Sequence, residues 1–239
     1  MTQDIGQIWV YLSASPLLGL TITLLAYQGA FWIYQRTGHN PLANPVLIAV
    51  GILAVVLKLT GTPYATYFEG AQFVHFLLGP ATVALALPLF DNLHHLRRVL
   101  LPVLAALVVG SVVATGSALM IASWMGVDDM LLISLAPKSA TAPVAIGISQ
   151  ELGGSPTLTA VLVILTGITG AVLATPLLNL LGVKDWRARG FSVGLVSHGI
   201  GTARALQVHP TAGAFAGLGM AINAVATAIL APLILRLFI

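Results

Sequence analysis

Cysteine is absent from the 239-residue chain, which excludes disulfides and thiolate metal sites without revealing the compartment. Charge is almost as scarce. Asp, Glu, Lys and Arg make up 7% of the residues, against about 25% in a soluble domain, and so few cannot cover a water-facing surface. Hydrophobic residues reach 58%, and apolar runs of helix-spanning length recur along most of the chain. The solvent is therefore the lipid bilayer. The few basic residues form no extended basic face, so nucleic acid is not an expected partner. The opening stretch MTQDIGQIWVYLSASP lacks a basic n-region and a small-residue cleavage site, so the first apolar run is expected to be a retained helix.

An all-α, polytopic membrane protein with roughly seven to eight membrane elements fits this length. It is expected to be one transmembrane domain over 1–239, with N-terminal helices in 1–70 and broken-helix units in 71–126, 127–185 and 186–239. Helices are predicted from Pro16 to Tyr34, Val46 to Leu59, Val99 to Ser123, Thr157 to Leu181 and Gly213 to Phe238, with TGTPYATYFEG as a linker. In AQFVHFLLGPATVALALPLF, Gly79-Pro80 predicts a break or kink. The basic turns HHLRR and KDWRAR vote for the cytoplasmic face. An even number of crossings then separates them, so 132–154 is expected to dip in and return; a full crossing with one mis-oriented turn is the alternative.

The pattern repeats. Gly79-Pro80 aligns with Ala136-Pro137 and Gly110 with Gly167, both at an offset of 57 residues (80 to 137, 110 to 167). A looser third copy carries Ala231-Pro232 in the place of Thr175-Pro176. Interrupted helices in corresponding places point to the binding site of a secondary transporter.

Two stretches could carry chemistry. In LISLAPKSATAPVAIGISQELGG, Pro137 and Pro143 interrupt a hydrophobic segment, which lipid tolerates only where protein or a water-filled cavity covers the freed backbone. Ser139 and Thr141 offer hydroxyls to the exposed amides. A half-helix starting near Thr141 would aim its positive end at an anion. Lys138 lies beside it, a charge costing about 2.5–3.5 kcal/mol at a helix centre. Either Lys138 helps to hold an anionic ligand, or it snorkels to the interface or pairs with Glu151.

In SHGIGTARAL, Gly199 and Gly201 allow close backbone approach or positive φ. Thr202 can donate a hydroxyl or cap a half-helix. Arg204 is a fork-shaped donor matched to a carboxylate; the alternative is an interfacial arginine. His198 could titrate near neutral pH or serve as a hydrogen-bonded packing residue, and His198 or Glu151 would be the group coupling a proton. Thr82 supplies a third wall. Cations without paired acids suggest a ligand that brings its own negative charge, since a cation carrier would centre carboxylates instead.

Other chemistries find less support. His75, His94, His95 and His209 sit on different segments without ligand spacing. The G-I-G-T run lacks the third glycine and the strand-turn-helix context of a nucleotide fingerprint. No nucleophile, base and acid set is evident. Neither an enzyme nor a cofactor is expected.

Taken together and in order, LLGPATVALALPLF, PKSATAPVAIGISQELGG, LTGITGAVLATPLLNLLGV and SHGIGTARAL resemble the LrgB/CidB family over nearly the whole chain after the first helix. The resemblance implies a multi-pass protein of the bacterial inner membrane, with a separate small holin-like partner of the LrgA/CidA type. Bacterial members were named as regulators of murein hydrolase export and lysis. A plastid relative is a glycolate/glycerate translocator, and some bacterial members are linked to pyruvate uptake. No fused holin-like half like that of the plastid relative is expected, so any such partner is expected to be separate. The expectation is a homo-oligomeric carrier of small monocarboxylates such as glycolate, glycerate, lactate or pyruvate, with a holin/antiholin-like modulator of lysis as the alternative.

Overall fold

The computed structural model describes residues 16–38, 40, 43–77, 80 and 100–239, and among them every regular element is helical. The chain divides into two compact units, Met1–Ala84 and Leu85–Ile239. The first contains α1 (Pro16–Arg36), α2 (Pro45–Thr60) and α3 (Tyr64–Phe76). Asn44 caps α2 by accepting from the amides of Val46 and Leu47, and Gly61 ends it at φ 65°, the left-handed conformation that glycine adopts freely. Gly19 lets α1 lie against the backbone of α3, because a Cβ there would sit 2.5 Å from the Tyr67 carbonyl oxygen. α3 corrects the linker expected at TGTPYATYFEG. Its tyrosines stack along a helix, Tyr64 on Phe68 at 5.6 Å, and Tyr67 shares a 2.7 Å hydrogen bond with Thr23 of α1. The break expected at Gly79-Pro80 and the residues after it, Thr82 included, lie outside the described residues apart from Pro80.

The second unit holds α4 (Leu100–Trp124), α5 (Asp129–Leu135), α6 (Ala142–Glu151), α7 (Pro156–Leu180), α8 (Trp186–Val208) and α9 (Pro210–Leu235). Four described helices, α1, α4, α7 and α9, are long and apolar enough to cross a membrane. α4 and α9 run side by side in the same direction. Val103 and Leu107 pack with Phe215 and Leu218 near their starts, and Leu119 and Ala122 with Ala231 and Ile234 near their ends. α7 runs the opposite way, since Leu178 near its end joins Trp186 and Ala212 at the start of α8 and α9.

Two segments turn back on themselves. Between α5 and α6 the helix is interrupted over residues 136–141; Pro137 in the break and Pro143 in the first turn of α6 lack backbone donors. The chain then comes back, so that Gly154 lies against Ile133 and Ser134 and the Ser155 amide donates to Ser134 Oγ at 2.9 Å. α8 is continuous in name only. His198 breaks it with φ 40° and ψ −135°, and the second arm folds back along the first. Trp186 and His209, which flank opposite ends of the helix in sequence, stack at 4.7 Å and 3°. Gly201 sits where a Cβ would touch Ser197 Cβ at 2.5 Å and Val193 at 2.9 Å. At about 1.5 Å per residue the first arm is roughly 18 Å long, too short for a bilayer core of about 30 Å.

Candidate functional site

The tips of the two folded-back segments meet at one side chain. Asn223, midway along α9, is buried to 1% exposure. Its Nδ2 donates to the Leu195 carbonyl oxygen at 2.9 Å and to the Ser139 carbonyl oxygen at 3.2 Å. Its Oδ1 accepts from Ser111 Oγ, midway along α4, at 2.7 Å. A helix that stops leaves its last carbonyls without intrahelical donors, and in lipid those groups need protein partners. One amide thus serves both breaks.

His198 forms the second link. Its ring Nε2 lies 2.9 Å from the Val163 carbonyl oxygen, in the first third of α7, and the ring is buried. Thr202 Oγ1 donates to the His198 carbonyl oxygen at 2.7 Å, tying the second arm to the tip. Gly167 and Gly170 make room on α7: a Cβ at Gly167 would touch the His198 ring at 2.6 Å, and one at Gly170 would collide with Ser197. A third polar group lies at the base of the other segment, where Thr159 Oγ1 bonds Ser149 Oγ at 2.7 Å and the Ser134 carbonyl oxygen at 3.1 Å.

Lys138 is half-buried in the 136–141 break and donates from Nζ to Ser139 Oγ at 3.2 Å. Among the described residues no carboxylate pairs with it; Glu151 is exposed at the far end of α6. Lys138 lines a cavity of about 530 Å³ that follows α7 from Leu162 to Leu178 and the first arm of α8 from Ser192 to Ser197. It is the cavity's one charged lining residue among those described; Thr166, Thr169, Ser192 and Ser197 add hydroxyls and the rest is apolar.

The other expected site residues fall around this core. Ser139 accepts from Lys138 and offers its carbonyl to Asn223, so its hydroxyl is not the amide cap expected of it. Thr141 is the N-cap of α6 by backbone but makes no side-chain cap bond. Gly201 provides the expected close approach. Positive φ falls on His198 instead of Gly199 or Gly201, and Gly199 faces only Met220 Sδ at 3.9 Å. Arg204 is half-buried on the second arm and lines a separate small pocket with Trp186 and Arg189, so the two cations face different cavities. No cluster of metal-ligating side chains occurs among the described residues. Asn223, Ser111 and Ser197 were not singled out from sequence. Asn223 could have been, as the one amide in the apolar run GLGMAINAVATAILAPLI.

The basic turn ahead of α8 is held by its own side chains. Asp185 caps α8 through the Arg187 amide at 2.8 Å and pairs with the Arg187 guanidinium at 2.6 Å. Arg189 donates to the Val183 carbonyl oxygen at 2.7 Å and lies over Trp186 at 5.0 Å.

Comparison with known proteins identifies the architecture. The model of the LrgB-like family matches residues 23–237. The chain belongs to the LrgB-like family. It is 35% identical to the holin-like protein CidB of Staphylococcus epidermidis over 228 residues, covering 95% of this chain and 98% of that one. The holin-like protein CidB of Staphylococcus aureus is 33% identical over 93% of this chain and 96% of its own. YwbG of Bacillus subtilis is 33% identical over 92% and 97%. No solved structure matches. With four described helices long and apolar enough to cross a membrane, the protein is a multi-pass protein of the bacterial inner membrane.

Proposed function

We propose that this LrgB-like protein acts as a holin/antiholin-like modulator in the inner membrane, together with a separate small LrgA/CidA-type membrane protein. Support comes from the relatives named holin-like, matched over nearly their whole length. Loss of the gene is expected to change the rate of lysis, and restoring it together with its small partner to reverse the change. Unaltered autolysis in the deletion strain would remove this assignment.

A second role is favoured by one observation: Lys138, which meets no carboxylate among the described residues, lies in a doubly interrupted core. A modulator that acts by assembly alone has no need of a cation held at the depth where two broken segments meet. A carrier of small organic anions does, in the class of glycolate, glycerate, lactate or pyruvate. The spacing of elements agrees with an inverted repeat of one long helix plus one re-entrant segment. α4 and α7 end 56 residues apart (124 and 180), and α5 and α8 begin 57 apart (129 and 186). An odd number of crossings per copy inverts the second relative to the first, the arrangement of many secondary transporters. Uptake of labelled glycolate and pyruvate into proteoliposomes tests this role, with a loss of at least tenfold expected for Lys138→Ala. If lysis complementation survives Lys138→Ala and neither acid is taken up, assembly alone remains.

A further inference from the structure

The 530 Å³ cavity between α7 and the first arm of α8 is a groove that opens sideways. Leu165, Thr169, Leu173, Leu177 and Val196 stand exposed along it. Two of its hydroxyls are satisfied within their own helices: Thr166 donates to the Leu162 carbonyl oxygen at 2.8 Å, and Ser192 to that of Arg189 at 3.0 Å. Such walls suit hydrocarbon. The groove is also confined to part of the bilayer's depth. From Leu165 to Leu177 it runs about 18 Å at about 1.5 Å per residue, close to the roughly 15 Å of one leaflet in a core of about 30 Å. Past Leu162, α6 covers α7, with Val163 packed on Ala140 and Ala145. A spanning helix would need the whole depth, whereas a lipid chain needs only this half.

The other end of the groove reaches charge. Ala174 and Leu178 line it and pack against Trp186, on the turn that sets Lys184, Arg187 and Arg189 against the single acid Asp185. Arg187 engages Asp185 at 2.6 Å. Lys184 is exposed and meets no carboxylate among the described residues. We propose that the groove holds one acyl chain of an anionic phospholipid whose phosphate rests on Lys184. Charge complementarity names the occupant: the apolar walls select a chain, and the unmatched positive turn at the interfacial end selects a negative headgroup. Basic turns stay in the cytoplasm, so the lipid belongs to the inner leaflet. Lys138 lies beyond the methyl end of the chain and keeps its bond to Ser139. The site is independent of which role above the protein serves.

Native mass spectrometry of the detergent-purified chain tests selectivity, with dioleoylphosphatidylglycerol and dioleoylphosphatidylcholine added in equal amounts. One phosphatidylglycerol should be retained at least fivefold over phosphatidylcholine, and Lys184→Gln should remove that preference. Leu173→Trp, which fills the groove from its lipid side, should lower retention of both lipids severalfold. Leu101→Trp, on an exposed position of α4, should change neither. Phosphatidylglycerol carrying a diazirine on one acyl chain, photolysed in vesicles, should mark residues 162–178 and 192–197 at least fivefold more than α4. Equal retention of the two lipids, or a preference that survives Lys184→Gln, overturns the headgroup assignment. Retention untouched by Leu173→Trp, or marks spread evenly over α4, α7 and α9, overturns the groove. A groove left unmarked, as when a partner helix or a second copy fills it, overturns the lipid as its occupant.

Discussion

His198 carries the positive φ that a glycine would ordinarily take. Backbone in such sparsely populated regions costs about 1–3 kcal/mol and persists only where surroundings hold it. The Val163 and Thr202 bonds do so here. His198→Val, β-branched and unable to reach Val163, should therefore be less stable than His198→Gly by about 1–3 kcal/mol, measured by thermal unfolding in detergent. Equal melting temperatures would show that the tip relaxes without strain. Asn223→Ala frees two carbonyls at once and should cost about 1–2 kcal/mol, as for buried hydrogen bonds in membrane helices. At this scale Lys138 and His198 were legible because ionisable groups stand out in an apolar chain. Ser111 and Ser197 were not, because hydroxyls are common in membrane helices and most bond their own backbone, as Thr166 does.

The folded-back α8 depends on glycine. A Cβ at Gly190 or Gly194 would collide with the carbonyls of Ala212 or Ala216 on α9, and one at Gly219 would sit 2.6 Å from the Phe191 carbonyl oxygen. Gly194→Ala should force the first arm off α9 at a cost of about 1–3 kcal/mol, seen as lower yield of folded protein and a lower melting temperature. The start of α8 carries its own pH signature. The Arg187 side chain, by hydrogen bonding, holds the Asp185 carboxyl down to about 2. A depressed folded value stabilises the fold above the unfolded value near 3.9, and that contribution is lost as pH falls from about 4 through about 2. The pair is nearly half exposed, so the effect is small. Asp185→Asn should flatten the melting curve's decline between pH 4 and pH 2 and leave it unchanged in shape above pH 5. Among the elements, the ends of the long helices could be read within a few residues, since Pro45, Pro156 and Pro210 sit in first turns where proline is favoured. The reversal of α8 was legible only as a glycine-rich break. Which residue bends, and that the arms lie against each other, depends on the Trp186–His209 stack across a long stretch of sequence. The aromatic α3 was misread because tyrosine-rich polar sequence resembles an interfacial linker until Thr23 and Gly19 give it a face to pack on.

For the second unit as a whole, three long helices hold up two half-depth segments that touch tip to tip through Asn223. In the carrier role proposed above, a lone anion taken across would traverse the membrane field, worth about 2.3 kcal/mol per charge at 100 mV. Unaccompanied efflux should be driven, and influx opposed, by an inside-negative potential. A potassium diffusion potential imposed on loaded proteoliposomes would read this as current, and electrically silent exchange would mean that a proton or a second anion travels along.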